Sequence, residues 1–224
     1  MDSKPNIAID GPAGAGKSTV ARMVAEELGY LYIDTGAMYR AITLKAIREG
    51  LDLHDPVAVG EMAEAANVEL VAGDDRNLKI LLDSEDVTEE IRSPYISQNV
   101  SLTASIPAVR KHLVKLQQAM AKRGGVVMEG RDVGTVVLPD ARIKIYLTAS
   151  TEERARRRRE ELIGKGYHVN QEQMEMEICE RDRIDTTRKT DPLVPAPDAE
   201  IIDSSFFTVD MVVKMIIDRV LAVR

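Results

Sequence analysis

Residues 11 to 18 read Gly-Pro-Ala-Gly-Ala-Gly-Lys-Ser: two outer glycines, four residues between them, then Lys and Ser. This is the spacing of a phosphate-binding loop. Gly11, Gly14 and Gly16 are free to take positive φ, so backbone N–H groups can converge on an anion. Lys17 offers a point charge for the β and γ phosphates of a nucleoside triphosphate, and the Ser18 hydroxyl suits Mg²⁺. The loop needs a strand before it and a helix after it. Asn6 to Asp10 is short, apolar and β-branched, bounded by Pro5 and Gly11. Thr19 to Leu28 places Val20, Met23, Val24 and Leu28 on one helical face and stops at Gly29. The N-terminus of that helix turns its dipole and free N–H donors toward the same anion.

More chemistry-bearing residues follow the other strands expected from the sequence: Tyr30–Asp34, Val126–Glu129, Ala141–Leu147 and Glu200–Asp203. After the second comes Asp34-Thr35-Gly36-Ala37-Met38-Tyr39-Arg40. After the third comes Glu129-Gly130-Arg131-Asp132-Val133-Gly134, with two opposite charges held between two glycines. That segment suits either a turn aimed into a cleft or a solvated ion pair. Glu129 suits either an acidic group orienting Mg²⁺ or its waters, or a buried structural carboxylate. After the fourth, Thr148-Ala149-Ser150 leads into a helix carrying Arg154, Arg156, Arg157, Arg158 and Arg159. Glu152, Glu153, Glu160 and Glu161 could neutralise this run by i,i+4 pairing. Arg154, Arg157 and Arg158 nonetheless share a face fit for a second phosphate, and Gly164-Lys165-Gly166 gives the helix a hinge. The reading favours a mobile lid. On a later helix Arg181, Asp185 and Arg188 stand at i, i+4 and i+7, either as a holder for a phosphorylated sugar or as a surface ion pair.

The elements that must position these residues alternate strand and helix. Helices are expected at 36–49, 55–66, 94–104, 107–123, 151–163, 170–187 and 209–223. Five buried strands alternating with helices imply an α/β fold: a parallel sheet with helices on both faces and ligands beyond the carboxyl ends of the strands. Between about residues 60 and 100 the texture changes to short strands at Val68–Ala72, Asn77–Leu82 and Asp86–Thr88. This reads as a small antiparallel insert.

The chain has 224 residues, 44% of them hydrophobic and 30% charged, with a net charge of −7. It is long enough for a single well-cored domain, and too acidic for nucleic acid as its main partner. The lone Cys179 forms no internal disulfide, and His54, His112 and His168 are scattered. The start at Met1-Asp2-Ser3-Lys4-Pro5 leaves no room for a leader, and no stretch approaches the ~20 apolar residues of a membrane span. A cytoplasmic protein is expected, with no membrane partner.

Four segments together resemble the bacterial cytidylate kinases of the nucleoside monophosphate kinase family: Ile9–Thr19, Asp34–Arg40, Glu129–Thr135 and Glu180–Arg188. The first specifies only nucleotide binding, and the other three are far more specific. The resemblance covers essentially the whole chain and implies transfer of the γ-phosphoryl of ATP to CMP or dCMP in pyrimidine nucleotide metabolism, with Mg²⁺, by a monomer. It implies a single phosphate-loop kinase domain with a core of 1–34, 105–150 and 189–224. A monophosphate-binding lobe would span about 35–104, with its β insert at about 67–90. The lid would span about 151–170, followed by a helix at 170–188.

By the same resemblance Gly11, Pro12, Ala13, Gly14, Ala15, Gly16, Lys17, Ser18 and Thr19 hold ATP, and Ser18 binds Mg²⁺, with Glu129 acting through water. Thr35, Arg40, Ser101, Arg110, Arg131, Asp132, Arg181, Asp185 and Arg188 hold the acceptor. Among these Ser101, Arg110 and Asp132 would read cytosine, Arg40, Arg131 and Arg188 would hold phosphate, and Asp185 the sugar. Lys17, Arg131 and lid arginines (Arg154 with Arg157 or Arg158) would neutralise developing charge. Thr35 and Glu129 stand where Ser and Asp also occur in the family, which leaves hydroxyl and carboxylate in place. Asp132 accepting from the exocyclic amine and Arg110 and Ser101 donating to ring acceptors would favour cytosine over uracil. A kinase of UMP, dTMP or shikimate, or a non-catalytic nucleotide-binding module, are the alternatives.

Overall fold

The computed structural model describes residues 4–72 and 78–223. Five parallel strands form its central sheet: β1 (Ile7–Asp10), β2 (Leu31–Asp34), β6 (Val126–Gly130), β7 (Ile143–Thr148) and β8 (Glu200–Asp203). Their spatial order is β2-β6-β1-β7-β8. β1 is central, with Ile7 opposite Val127 of β6 on one side and Ile143 of β7 on the other. The order reverses about β1, so the loops after β1 and β6 open side by side at the carboxyl edge, where such sheets bind ligands.

Strand alternation assigns the layers. Ile7, Ile9, Val127, Ile145 and Leu147 pack under α1 (Lys17–Leu28) and α8 (Val209–Ala222). Ala8, Ile33, Val126 and Met128 face the opposite way, onto Ala121 of α5 (Pro107–Ala121) and onto Val133 and Val137. Helices therefore cover both faces, as expected. β1 and β6 are buried throughout, and β7 is buried at alternate residues. The edge strands are half-buried, exposing Leu31 and Ile201, because an edge strand meets a helix on only part of its surface.

A second core lies among α2 (Thr35–Arg48), α3 (Pro56–Ala65), α4 (Pro94–Ala104), α5, and the antiparallel strands β3 (Val68–Ala72) and β4 (Leu78–Leu82). Ser93 and Asp55 cap α4 and α3, with Pro94 and Pro56 at the first helical positions. The expected Gly73–Arg76 turn and Asn77 lie outside the described residues. The third strand of this sheet, β5, is Glu85–Asp86 rather than 86–88. Asp83 and Ser84 both take positive φ, 50° and 72°. They make the two-residue hairpin turn without glycine, so pairing starts one residue early. Val87 then turns inward, and the Thr88 hydroxyl accepts the Ile80 N–H at 2.9 Å.

Past β6 the chain makes a wide helical turn, Val133–Val137, where the sequence suggests only a loop. Buried Asp10, at the end of β1, holds it. Its two carboxylate oxygens accept the Val133 and Gly134 N–H groups at 2.8 and 2.7 Å. The chain then reaches α6 (Thr151–Gly164) and α7 (Gln171–Thr187), which pack on each other through Ala155, Leu162, Met174 and Ile178. No helix of the described residues is long and apolar enough to cross a membrane.

Candidate active site

The phosphate-loop geometry follows from three glycines. Gly11 (φ 149°), Gly14 (φ 76°) and Gly16 (φ 90°) all take conformations that side chains disfavour. A Cβ at Gly11 would lie 1.9 Å from the Leu147 carbonyl oxygen, and one at Gly14 2.9 Å from that of Arg154. The loop can run this close to β7 and α6 only as glycine. No side chain caps α1 at Gly16, leaving its first N–H groups to a ligand. Lys17 donates to the Pro12 carbonyl at 2.7 Å, which folds its stem back along the loop. Burial, reinforced by Arg131, pushes the Lys17 ammonium down to about 7, against the pull of Glu129 and Asp10.

A cavity of about 580 Å³ opens beside the loop, within the range of small-molecule sites. Its wall carries Ala13, Gly14, Gly16, Lys17, Ser18 and Thr19 at one end. It also carries Thr35, Arg40, Ser101, Arg110, Arg131, Asp132, Arg181, Asp185 and Arg188, with Glu129 and Arg158. Gly11, Pro12 and Ala15 stand behind the wall: Gly11 against β7, Pro12 on Lys17, and Ala15 with its carbonyl accepting from Ser204 at 3.2 Å. Residues up to 175 apart in sequence, Ala13 and Arg188, thus meet, and every expected acceptor residue is among them.

The charges on this wall hold one another in place. Asp185 accepts from Arg131 Nε at 2.8 Å and from the Ser101 hydroxyl at 3.1 Å. Burial raises the Asp185 carboxyl, but Arg131 and Arg181 outweigh it and keep it below the usual range. Arg110, fully buried, donates through Nη1 to Ala104 O at 3.1 Å, through Nε to Asp191 at 2.8 Å, and through Nη2 to Asp132. Arg188 Nη2 lies 3.6 Å from the other oxygen of Asp132. Burial raises the Asp132 carboxyl despite both guanidiniums. Burial, then Arg131 and Arg40, push Arg181 down to about 9, and its Nε is buried without a partner. Buried cations that depress one another favour an anionic ligand between them.

Thr35 donates to the Glu129 carbonyl at 2.7 Å. The Glu129 carboxylate accepts from Tyr32 at 2.7 Å and from Ser18, and burial, then Asp34, raise its pKa. Glu129 is thus both buried and on the cavity wall.

The lid arginines separate. Arg154 is buried and committed to the scaffold: Nε to Ala149 O at 3.0 Å, Nη1 to Ala13 O at 3.1 Å, and Nη1 to Asp182 at 2.7 Å. It does not reach the cavity, contrary to the expectation of a lid phosphate ligand. Its donors are held by the loop it braces and by a carboxylate on α7. Arg157 pairs with Glu153 and with Ser204, and is not on the cavity wall. Its Nη1 lies 3.8 Å from where a Gly16 Cβ would be, beside the loop. Of Arg154, Arg157 and Arg158, Arg158 alone lines the cavity, paired with Glu161 at 2.7 Å.

Tyr39 also lines the cavity, unassigned from sequence. Its ring centroid is 5.5 Å from the Arg110 guanidinium, and its hydroxyl is buried without a partner. Its place in the segment after β2, three residues from Gly36, was the available signal.

Known proteins match this chain. The cytidylate kinase family matches residues 7–222. A cytidylate kinase of Pelotomaculum thermopropionicum is 67% identical over 224 residues, covering 100% of this chain and 99% of the relative. One of Desulforamulus reducens is 57% identical over 211 residues, 94% of each. Among solved structures, a gluconokinase from Sinorhizobium meliloti superimposes with a TM-score of 0.52 at 14% identity, covering 100% of this chain and 95% of that one. That likeness supports the phosphate-loop kinase fold. With the family matching from β1 to the last helix and relatives alike over their whole length, the chain belongs to the cytidylate kinase family.

Proposed function

We infer that this chain transfers the γ-phosphoryl group of ATP to CMP or dCMP, giving ADP and CDP or dCDP. The observation that carries the reading is the shared cavity: the phosphate loop and an arginine-rich acceptor wall face one space. A nucleotide-binding module without transfer has no use for that second anion site.

At the donor end the loop N–H groups and Lys17 hold the ATP phosphates. At the acceptor end Arg40, Arg131 and Arg188 hold the CMP phosphate, Asp185 the sugar, and Ser101, Arg110 and Asp132 the base. The CMP phosphate oxygen then attacks the γ-phosphorus in line through a loose transition state. No side chain acts as a covalent nucleophile. Positioning supplies up to ~7–11 kcal/mol of the barrier, and Lys17, Arg131 and Arg158 stabilise the charge. In this scheme Arg157 acts from beside Gly16, on the donor side. Arg154 instead fixes the loop.

The donor set fits Mg²⁺. Among the described residues no group of three His, Cys, Asp or Glu could hold a metal alone. Mg²⁺ keeps several waters and leans on substrate phosphates, so one hydroxyl and one nearby carboxylate suffice. Ser18 would hold it, with Glu129 through water, and the ion when bound would supply positive charge that neutralises the donor phosphates. A lid at about 151–170 closing over a lobe at about 35–104 would exclude water. We place the protein in the cytoplasm as a monomer acting on small molecules, not on nucleic acid or membrane.

A coupled assay across CMP, dCMP, UMP, dTMP and shikimate tests the reading. ADP should form only when CMP or dCMP is added, and Lys17→Ala should abolish it in a chain that still folds. ADP release independent of a monophosphate, or near-normal turnover by Lys17→Ala, would overturn it.

A further inference from the structure

The connector after α7 reads from sequence as a Pro-rich link, Asp191 to Asp198. Its first residue behaves otherwise. Asp191 takes φ 49°, a left-handed conformation that few residues other than glycine adopt. It also precedes Pro192, and a residue in that place is pushed toward extended backbone. Two local preferences are broken at one position, and such outliers persist only where their surroundings over-determine them.

The surroundings are the acceptor wall. The Asp191 carboxylate accepts Arg110 Nε at 2.8 Å, and its carbonyl accepts Arg188 Nε at 2.7 Å. The next turn is stitched to α7, with Leu193 N–H donating to the Asp185 carbonyl at 2.8 Å. One residue therefore grips two arginines at once, one by its side chain and one by its backbone. In this left-handed turn a single residue presents both oxygens to neighbouring guanidiniums.

The consequence for Arg110 is orientation. A guanidinium has five N–H donors in a fixed plane. Asp191, Ala104 O and Asp132 each take one. The plane is thereby locked, and two donors are left for a ligand. Without the Asp191 carboxylate, Arg110 would keep only Asp132 and the Ala104 carbonyl, and its plane could turn about its stem.

We propose that Asp191 is a positioning residue of the acceptor site: it fixes the guanidinium plane that reads the base, and so sets affinity for CMP and discrimination against UMP. This rests on the base-reading role of Arg110 and Asp132 argued above.

Three variants test it. Asp191→Gly keeps the left-handed backbone and the carbonyl to Arg188 but removes the carboxylate. Asp191→Asn accepts the same backbone and keeps an uncharged acceptor. Asp191→Ala removes the carboxylate and strains the turn. Loss of a charge-assisted hydrogen bond should raise KM for CMP by about 10- to 100-fold in Asp191→Gly. KM for ATP and the thermal midpoint should stay near those of the unsubstituted chain, kcat should change less than KM, and preference for CMP over UMP should shrink. Asp191→Asn should fall between Asp191→Gly and the unsubstituted chain. A merely structural role predicts the reverse order: Asp191→Gly near normal and Asp191→Ala impaired in both substrates with a lowered midpoint. That result, or an unchanged KM for CMP in Asp191→Gly, overturns the proposal while leaving the kinase reading intact. If the unsubstituted chain does not turn over CMP, the kinase reading falls and this role falls with it.

Discussion

Lys17 is the residue where burial and function collide. Its ammonium is pushed down to about 7, first by burial and then by Arg131, whereas an unfolded lysine titrates near 10.5. The unfolded chain therefore binds this proton more readily, and stability of the empty protein gains as pH rises from about 7 toward about 10. A bound triphosphate reverses the balance by favouring the charged form. ATP binding at pH 8 should thus take up close to one proton, and at pH 6 almost none. Calorimetry in buffers of different ionisation enthalpy measures this, and uptake should vanish in Lys17→Met. Equal uptake at both pH values would remove Lys17 as its source. Asp132 makes a different prediction. Removing it leaves Arg110 and Arg188 buried without their shared anion, so Asp132→Ala should lower kcat/KM for CMP by at least about 100-fold. Binding of ATP, measured separately, should change little. An equal loss for CMP and UMP would show that Asp132 does not read the base.

Elements place these residues, and the tightest placement is the loop between β1 and α1. Its contact with β7 leaves no room at Gly11, so Gly11→Ala should destabilise by more than about 3 kcal/mol, from clash and φ together. Gly50, with φ 69° and nothing within 4 Å of an added Cβ, isolates the conformational part. Gly50→Ala should cost about 1 kcal/mol. Urea unfolding compares the two, and similar losses would mean the β7 contact is slack. The strand ends were legible in sequence because each site segment follows its own strand within a few residues, so Lys17, Thr35, Arg131 and Asp132 announce themselves. The division among the α6 arginines was not. Arg154 and Arg158 are one turn apart on the same stripe, and helical phase gives them equal claims. What separates them is the Ala13 carbonyl, 141 residues away, and Asp182 on α7. The Val133–Val137 turn likewise depends on Asp10, and the β5 register on a left-handed turn built without glycine.

Across the whole molecule, charge is sorted. The chain carries −7 net, yet among the described residues ten basic and five acidic side chains line the cavity. An acidic exterior around a basic, low-dielectric cleft focuses field lines into the cleft. The association rate of ATP and CMP should fall as ionic strength rises from about 0.01 to about 0.5 M, as the screening length shrinks from ~30 Å to a few Å. Stopped-flow binding measures it, and a flat profile would mean the cleft exerts no steering. The central place of β1 has a consequence of another kind, in the order of synthesis. Its partners lie 120 and 136 residues downstream, Ile7 meeting Val127 and Ile143. At translation rates of about 5–20 residues per second, an apolar Ile-Ala-Ile segment stays unpaired for roughly 6–25 s. The sheet cannot nucleate on its own middle until two-thirds of the chain exists. The strand that anchors the phosphate loop is made early and waits longest, so this fold's exposure to aggregation and chaperones is concentrated in its first ten residues.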